Sequence, residues 1–520
     1  MPKQIADGKK IVKNTVALYC RMILTMIIGL YTSRIVLQTL GVVDFGIYSV
    51  VGSVVVMFSF LNGTMAATTQ RYLSFFLGVG DFNKVNKVFN ATLAIHVIIC
   101  AIVILIAETF GLWFLNHRMN IPSDRISVAN FVYQMSVIAA VFSITQVPYT
   151  AVITAREKMD VYAYISIVEA SLKLVLVLML FFVSADKLKL YSFLVLMNNL
   201  IVLVVVRMYC VKKFAESKIK LVKDRKMFVE LLSYSGWNLS SHIVLTARTQ
   251  GVNVLMNLFL GPSFNAARGI AVQVNEIVFR FVRNFQIAAV PQITKLYADK
   301  NISEMKKLIC SSSKISFMLL AFLVLPIILE TEFILKLWLG AIPEWCVVFC
   351  RLTLIASLVD VLSGTLVYGA LAVGVVKKYH MTLDLILVMN FVFSYVVLKN
   401  EFSPVFLYYI EIVIYSVCLI VRLIFLKSYI GLPICLYLKD VVMKDLLVIA
   451  VPLAIASGFR FCMEMSVVRF FVVSGLSCIS ICVSILFIGV NKFDREKIVK
   501  KNLNKFSFLI RRKNGFCNKM

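Results

Sequence analysis

The chain has few charged residues and none of the short motifs by which enzymes bind metals or nucleotides. Only 16% of its 520 residues are Asp, Glu, Lys or Arg, whereas soluble domains carry about 25%. Its four histidines and twelve cysteines include no CxxC motif and no Cys/His spacing typical of a metal site. The sequence also lacks a D-x-D pair and a phosphate-binding GxxxxGK loop. These absences argue against a soluble globule, a nucleic-acid-binding protein and an enzyme that depends on metals or nucleotides.

Apolar residues dominate what is present. They make up 60% of the chain, and the mean hydropathy is +0.89. Because a membrane-spanning helix needs about 20 mostly apolar residues, the breaks that carry charge, Gly or Pro predict fourteen spans. The predicted spans are 13–39, 47–72, 89–115, 129–154, 162–183, 190–210, 231–258, 269–292, 312–330, 347–372, 382–398, 405–425, 446–463 and 469–490. The pattern predicts an all-α polytopic membrane protein.

The net charge of +27 is distributed unevenly around these spans. Segments on the N-terminal side of the membrane hold about 35 basic residues, and the opposite segments hold about 7. Once acids are subtracted, the net charge is about +22 on the N-terminal side, about −1 on the other side and about +6 within the spans. Short cytoplasmic segments carry the excess of Lys and Arg, so both termini are predicted to be cytoplasmic. The basic tail is predicted either to lie on the anionic inner leaflet or to be disordered.

The sequence contains an internal repeat. Leu40-Gly41 recurs as Leu260-Gly261, and the segments at 81–87, 112–122 and 148–158 recur in the same order at an offset of about 220 residues. An even number of spans separates the copies, so the two six-helix lobes are predicted to be parallel repeats, followed by two C-terminal helices. The predicted domains are an N-terminal lobe (1–225), a C-terminal lobe (226–440), a helix pair (441–490) and a basic cytoplasmic tail (491–520).

Six cations lie well inside predicted spans, where a charge costs about 2.5–3.5 kcal/mol and usually faces a cavity or a partner. They are Arg21, Arg34, Lys173, Arg248, Arg280 and Arg283. Six others lie nearer the span ends and are predicted to extend towards the membrane surface. These are Arg207, Lys314, Arg351, Arg422, Arg460 and Arg469.

Helical spacing predicts which face of its span each deep cation occupies, since successive residues turn by about 100°. Polar side chains share a face with a cation on the first, seventh and eighth spans, whereas Arg34 points to the opposite side of its span. The shared faces are Asn14, Arg21, Thr25, Thr32 and Thr39; Asn238, Ser241, His242, Arg248 and Thr249; and Gln273, Glu276, Arg280 and Arg283. A hydrated cavity lined by these residues would suit an anionic head group, because Arg matches phosphate geometry. The alternative is local pairing of Glu276 with Arg280 and of Glu169 with Lys173.

Acidic residues within spans suggest a coupling ion. Glu169, Glu276 and Asp360 are predicted either to carry H⁺ or Na⁺ or to form structural ion pairs. No other cofactor and no metal are predicted.

The N-terminal third resembles a known family. The segments NTVALYCRMILTMIIGLYTSRIVLQTLGVVDFGIYSVVG, FSFLNGTMAATTQRYLSFFLG and VPYTAVITAREKMDVYAYISIVE are similar to the polysaccharide and O-antigen flippases of bacterial inner membranes. That family belongs to the multidrug/oligosaccharidyl-lipid/polysaccharide exporter superfamily. The resemblance is dense over residues 10–185 and looser beyond them.

The resemblance implies translocation of an undecaprenyl-pyrophosphate-linked oligosaccharide from the cytoplasm to the periplasm, with the cationic cavity receiving the pyrophosphate. It implies a multi-pass inner-membrane protein, with membrane lipid and the lipid-linked glycan as ligands and a polysaccharide polymerase and a chain-length regulator as partners. One alternative is a drug or other lipid exporter of the same superfamily, although 12 basic against 6 acidic span residues favour an anionic substrate. A membrane polymerase or ligase of the same pathway is the other alternative, and the short extramembrane loops argue against it.

Overall fold

In this computed structural model the chain is almost wholly α-helical. The structure describes residues 8–57, 60–156, 158–220, 224–374 and 376–489. Side chains are described for the same residues apart from some within helices, namely 8–20, 56, 60–64, 67, 234–242, 245, 248 and 376. The described part contains no β-strand.

The first six predicted spans lie on seven helices. These helices are α1 (Gly8–Val56), α2 (Phe60–Val79), α3 (Phe82–Ile106), α4 (Leu112–His117), α5 (Ile126–Ala155), α6 (Met159–Leu178) and α7 (Lys187–Lys213). A π-helical turn, Ala107–Gly111, joins α3 to α4. The second predicted span covers the end of α1 and the start of α2, and residues 58 and 59 between them are not described.

The other eight predicted spans lie on the remaining helices. These are α8 (Arg225–Thr246), α9 (Val252–Leu260), α10 (Pro262–Ala298), α11 (Ile302–Leu329), α12 (Thr331–Leu339), α13 (Cys346–Val373), α14 (Val376–Lys399), α15 (Val405–Ile430), α16 (Ile434–Tyr437), α17 (Lys444–Cys462) and α18 (Val467–Ser484). In the described part, 11 helical segments are long and apolar enough to cross a membrane. The prediction of a polytopic all-α membrane protein is confirmed.

The internal repeat is visible in the backbone. Gly41 divides α1 with φ 79° and ψ 172°, and Gly261 separates α9 from α10 with φ 88° and ψ 178°. This region of backbone space is essentially restricted to glycine. The two matched glycines therefore break their helices in the same way.

The two copies of the repeat also share the way in which one of their helices begins. Gly80 and Lys300 both have positive φ, 81° and 58°. The residue after each caps the next helix: Asp81 accepts a hydrogen bond from the backbone N–H of Lys84, and Asn301 accepts one from the N–H of Glu304. Asp and Asn are favoured at this position because their side-chain oxygens satisfy free N–H groups of the first turn. The repeat thus extends from sequence to local geometry.

The chain forms two compact units. Unit 1 comprises Met1–Gln273, Leu335–Phe349 and His380–Ile414, and unit 2 comprises Val274–Ile334, Cys350–Tyr379 and Tyr415–Met520. In unit 1, one apolar core includes Val36, Ile47, Val132, Tyr133 and Leu188, and a second includes Leu73, Phe89, Ile153, Cys210 and Leu231. In unit 2, Leu320, Val324, Leu366, Val448 and Ile481 are fully buried. The predicted lobe boundaries at 225 and 440 stay predictions.

Close approach within unit 1 depends on a small residue. A Cβ atom added at Gly46, in the second half of α1, would lie 1.9 Å from the carbonyl oxygen of Pro262. The backbone at the start of α10 therefore packs directly on α1, which only glycine permits. This contact places the polar side of α10 beside α1.

Candidate functional site

The polar face of α1 packs along one face of α6 within unit 1. The guanidinium of Arg21 lies 4.9 Å from the ring centre of Tyr162 and donates a hydrogen bond of 3.4 Å to the Ser166 hydroxyl. Thr25 donates to the Arg21 carbonyl oxygen, 2.8 Å away. Tyr162 and Ser166 are four residues apart and share a helix face. Arg21 therefore faces α6 and has no carboxylate among these contacts.

Further along the same face, α1 and α6 enclose a cavity of about 210 Å³ together with α7 and α10. Its polar lining consists of Thr32, Ser33, Lys173, Tyr191 and Gln273. The Gln273 side chain donates to the Ser33 hydroxyl at 2.8 Å. Of the polar stripe predicted for the first span, Thr32 lines this cavity, and Lys173 is the only charged residue among the described residues of its lining.

Lys173 has no hydrogen bond or ion pair within the part of the chain that the structure describes. Glu169, one turn earlier on α6, is half-buried and near enough to interact electrostatically with Lys173. It does not line the cavity. The ammonium is therefore the charge that this cavity offers to a ligand, and local pairing with Glu169 does not occupy it.

A second cavity, of about 270 Å³, lies in the same unit between α1, α5 and α7. Its lining has no charged residue but carries hydroxyl and amide groups from Tyr48, Ser136, Ser143, Ser192 and Asn199. The rings of Tyr48 and Tyr191 pack edge to face, with centroids 4.7 Å apart. Because Tyr48 lines this cavity and Tyr191 lines the first, the ring pair forms a shared wall.

Arg34 lies elsewhere, as its helical position predicted. It donates to the carbonyl oxygen of Leu337, 3.3 Å away. The neighbouring Gln38 side chain donates to the carbonyl of Leu339 at 2.9 Å, and the Trp338 indole donates to the Leu30 carbonyl at 2.8 Å. Arg34 therefore helps to satisfy the free carbonyl groups at the end of α12.

The remaining predicted site residues are not brought into these cavities. Glu276, Arg280 and Arg283 are exposed on α10, and the Arg283 guanidinium lies 5.3 Å from the ring centre of Phe279 on the same helix. Asp360 is half-buried on α13. The side chains of Asn238, His242 and Arg248 lie outside the described residues. A single cavity that unites all these residues stays a prediction.

Three cations expected to extend towards the membrane surface bind protein groups. Arg207 donates to the Thr145 hydroxyl at 2.7 Å, and Arg351 donates to the Ile328 carbonyl at 3.1 Å. Arg469 donates to the Glu330 carboxylate at 3.0 Å. That these three cations extend towards the membrane surface stays a prediction, and each already has an acceptor within the protein.

An ion-pair network joins α1, the turn before α5 and the start of α7 in unit 1, on the side predicted to be periplasmic. The Arg125 guanidinium binds both carboxylate oxygens of Asp44 and donates to Asp186 at 2.7 Å. Asp186 also caps α7 by accepting from the backbone N–H groups of Leu188 and Lys189. Burial alone would raise the pKa of Asp186, but the hydrogen bonds from Lys189 and Arg125 outweigh it and hold that pKa below its ordinary value. The network ties the start of α7 to the part of α1 that follows Gly41 and to the turn before α5.

Sequence reasoning missed Asp445 as a buried acid. Its side chain is fully buried, and neither carboxylate oxygen has a hydrogen-bond partner among the described residues. The residue stands one position before a predicted span and was counted with the adjoining loop. The signal that could have revealed it is the apolar run on both sides of the Lys444-Asp445 pair.

The fold is similar to those of several solved membrane transporters, all at low sequence identity. A lipid II flippase, MurJ, in an inward closed conformation matches with a TM-score of 0.70 and 11% identity, over 91% of this chain and 98% of that one. A MOP-superfamily transporter from Pyrococcus furiosus, described as having a binding pocket of reverse polarity, matches with a TM-score of 0.57 and 15% identity, over 81% of this chain and 96% of that one. An outward-facing multidrug transporter of the MATE family matches with a TM-score of 0.57 and 14% identity over the same shares.

No protein-family profile and no curated protein matches the sequence. The similar structures are those of transporters and a flippase rather than of enzymes. At these identities the likeness establishes the fold, and the resemblance found in the sequence is confirmed at that level. The chain has the fold of the MOP superfamily of membrane transporters.

Proposed function

We propose that the chain is a flippase that translocates an undecaprenyl-pyrophosphate-linked oligosaccharide across the bacterial inner membrane by alternating access, for O-antigen or capsule synthesis. The observation that carries the proposal is the cavity between α1 and α6, whose only charged lining residue is the unpaired Lys173. Arg21 adds a second cation on the same helix pair without a carboxylate contact. A pyrophosphate would satisfy such cations, because charge-assisted hydrogen bonds are about twice as strong as neutral ones.

The uncharged cavity beside it supports the sugar part of the proposal. Hydroxyl and amide groups can exchange hydrogen bonds with sugar hydroxyls, and Tyr48 supplies an aromatic face. Similarity to a lipid II flippase supports a lipid-linked substrate. A polysaccharide polymerase and a chain-length regulator remain the proposed partners.

A multidrug exporter is the rival function, favoured by the fold similarity to a MATE transporter. A cationic drug would call for an acid in the cavity, and no acid lines either cavity of unit 1. We therefore place the flippase first.

Deletion of the gene in its parent organism tests the choice. We expect a lipid-linked oligosaccharide to accumulate with its glycan facing the cytoplasm, and surface polysaccharide to disappear. The Arg21→Gln/Lys173→Gln variant should fail to restore the polysaccharide. The control Lys84→Gln/Lys87→Gln removes two exposed cations of the same unit and should restore it. Normal polysaccharide in the deletion strain together with drug sensitivity would favour the exporter.

Two further parts of the proposal have their own tests. We propose that Glu169, Glu276 or Asp360 couples transport to H⁺ or Na⁺, which requires that a pH or Na⁺ gradient across vesicles changes the rate. We also propose that both termini are cytoplasmic. In a variant whose only cysteine is Cys517, an impermeant thiol reagent should label the protein in inverted vesicles but not in intact spheroplasts, and the reverse pattern would invert the topology.

A further inference from the structure

Unit 2 contains a cavity at one end of its helices. It has a volume of about 630 Å³, within the range of about 300–1,000 Å³ that is usual for ligand sites. It lies between the first turns of α11, the turn at Gly431–Pro433 and the π-helical turn Leu438–Met443 that follows α16. These segments belong to the side predicted to be cytoplasmic. None of the residues predicted for substrate binding lines it.

The lining is strongly cationic. Lys306, Lys307, Lys314 and Lys444 line the cavity against a single acid, Asp440. Four lysines and one carboxylate give the lining a net charge of about +3. Such a concentration of one sign attracts an anion.

Two of the four lysines are already neutralised by acids of their own helical turn. Lys307 binds Glu304 at 2.7 Å, and Lys444 binds Asp440 at 2.7 Å. Lys306 and Lys314 form no ion pair or hydrogen bond with any residue that the structure describes. The unsatisfied charge of the cavity is therefore concentrated on these two ammonium groups.

Lys314 is held where a charge is costly. It is half-buried on α11, inside a helix that can cross the membrane, where Lys444 repels it and Asp445 and Asp440 attract it without forming an ion pair. Partial burial of an ammonium group is unfavourable unless a counter-charge is in close contact. An anion in the cavity would supply that contact.

The turn at Gly431–Pro433 leaves space for the Lys306 ammonium group at the edge of the cavity. Gly431 has φ +67°, and a Cβ atom there would lie 3.3 Å from the Lys306 ammonium nitrogen. The absence of a side chain at 431 leaves room for that ammonium group. The local geometry thus favours a cationic rim.

The apolar part of the lining indicates that the anion is attached to a lipid. Leu432, Pro433, Leu436 and Val441 line the cavity beside the lysines, and Leu436 is 52% exposed. A free phosphate would gain nothing from these apolar groups, whereas a phospholipid can place its phosphate on the lysines and its glycerol and acyl chains on the exposed Pro433 and Leu436. Basic pockets between helices at the cytoplasmic side are suited to acidic head groups.

We propose that this cavity binds the head group of an anionic membrane phospholipid, with the lipid phosphate contacting Lys306 and Lys314. The site is separate from the cavities of unit 1, so it stands whether or not the chain is a flippase. Its occupant is a resident lipid of the host membrane rather than a transported substrate.

Native mass spectrometry of the full chain, released from detergent micelles with added phosphatidylglycerol, tests the proposal. A basic residue near a membrane surface contributes about 1 kcal/mol to binding an acidic lipid, or roughly fivefold in affinity. Lys306→Gln/Lys314→Gln should therefore weaken phosphatidylglycerol binding roughly 25-fold, and Lys306→Gln alone should weaken it about fivefold. The matched control Lys212→Gln/Lys213→Gln removes two exposed lysines at the end of α7 and should change binding less than twofold.

Comparison with phosphatidylethanolamine and displacement by inorganic phosphate test whether the cavity selects an anionic lipid rather than any phospholipid or free phosphate. Wild-type protein should retain phosphatidylglycerol at least tenfold more than phosphatidylethanolamine, and inorganic phosphate should not displace it. Equal binding by wild type and the Lys306→Gln variant would overturn the proposal. An equal loss in the Lys212→Gln/Lys213→Gln control, or displacement by inorganic phosphate, would also overturn it.

Discussion

Glu330 and Arg469 are buried together in unit 2, where each is the counter-charge of the other. The Glu330 side chain is fully buried, and that of Arg469 is 11% exposed. Their pairing at 3.0 Å links the end of α11 to the first turn of α18. Removing one of the two residues would leave the other charge buried and unpaired. This is expected to lower the free energy of unfolding far more than leaving a surface charge unpaired.

We predict that Arg469→Met lowers the free energy of unfolding by about 3–5 kcal/mol, because it leaves the Glu330 carboxylate buried without a partner. The double variant Glu330→Gln/Arg469→Met should recover most of that loss. Unfolding in detergent micelles measures the free energy of unfolding of the single and the double variant. Lys307→Met breaks an exposed pair with Glu304 and should cost less than about 1 kcal/mol. A double variant no more stable than Arg469→Met would contradict the account.

At the scale of single elements, the break in α1 separates two stretches that both contact α10, the first through Ser33 and Gln273 and the second through Gly46 and Pro262. Gly41 lies between the stretch that carries Arg21 and Thr32 and the stretch that carries Gly46. The equivalent Gly261 separates α9 from α10 in the second copy of the repeat. Both depend on a backbone conformation that other residues adopt only with strain.

We predict that Gly41→Ala destabilises the protein by about 1–3 kcal/mol through backbone strain, since open space surrounds the site and no clash is involved. Thermal unfolding checks this. Gly78→Ala is the control, because Gly78 is helical with equally open surroundings, and alanine there should stabilise by about 0.4–1 kcal/mol. A Gly41→Ala variant as stable as wild type would show that the break is not tied to glycine.

The loop network around Arg125 predicts a pH dependence. The pKa of Asp186 is lower in the folded protein than its ordinary value of about 3.9. Its stabilising effect is therefore fully present above that ordinary value and is lost as the pH falls through the lowered pKa. Asp186→Asn keeps a residue able to cap α7 but removes one of the two charged acceptors of Arg125, the other being Asp44.

We predict that wild type exceeds Asp186→Asn in stability by about 1–2 kcal/mol at pH 7, and that this difference shrinks as the pH falls below the ordinary value and disappears once Asp186 is protonated. Denaturant unfolding at a series of pH values measures the difference. Asp124→Asn removes an exposed acid from the neighbouring loop and should produce little change at any pH. A difference that stays constant down to low pH would argue against the network.

At the scale of the whole molecule, helix positions could be predicted from sequence because span length and charge asymmetry are one-dimensional properties. The fourteen predicted spans lie on the observed helices except at some of their ends: residues 57, 182–183, 330 and 463 lie just beyond a helix end, and residues 58, 59 and 490 are not described. The helical face of Arg21 and Thr32 was also predictable. The residues that pack against this face could not be predicted. Lys173 and Gln273 reach it through tertiary packing, which the periodicity of one helix does not encode. The acceptors of Arg207 and Arg469 could not be predicted for the same reason.

The central claim is that the cations of unit 1 select a lipid with an anionic head group. The most direct measurement is the translocation rate of an undecaprenyl-pyrophosphate-linked oligosaccharide in proteoliposomes. Loss of one hydrogen bond to a charged group costs about 1.5–3 kcal/mol, so Arg21→Gln/Lys173→Gln should slow translocation more than tenfold at equal reconstitution. Lys84→Gln/Lys87→Gln should leave the rate unchanged. An unaltered rate in the cavity variant, or equal translocation of a glycolipid without phosphate, would contradict the account.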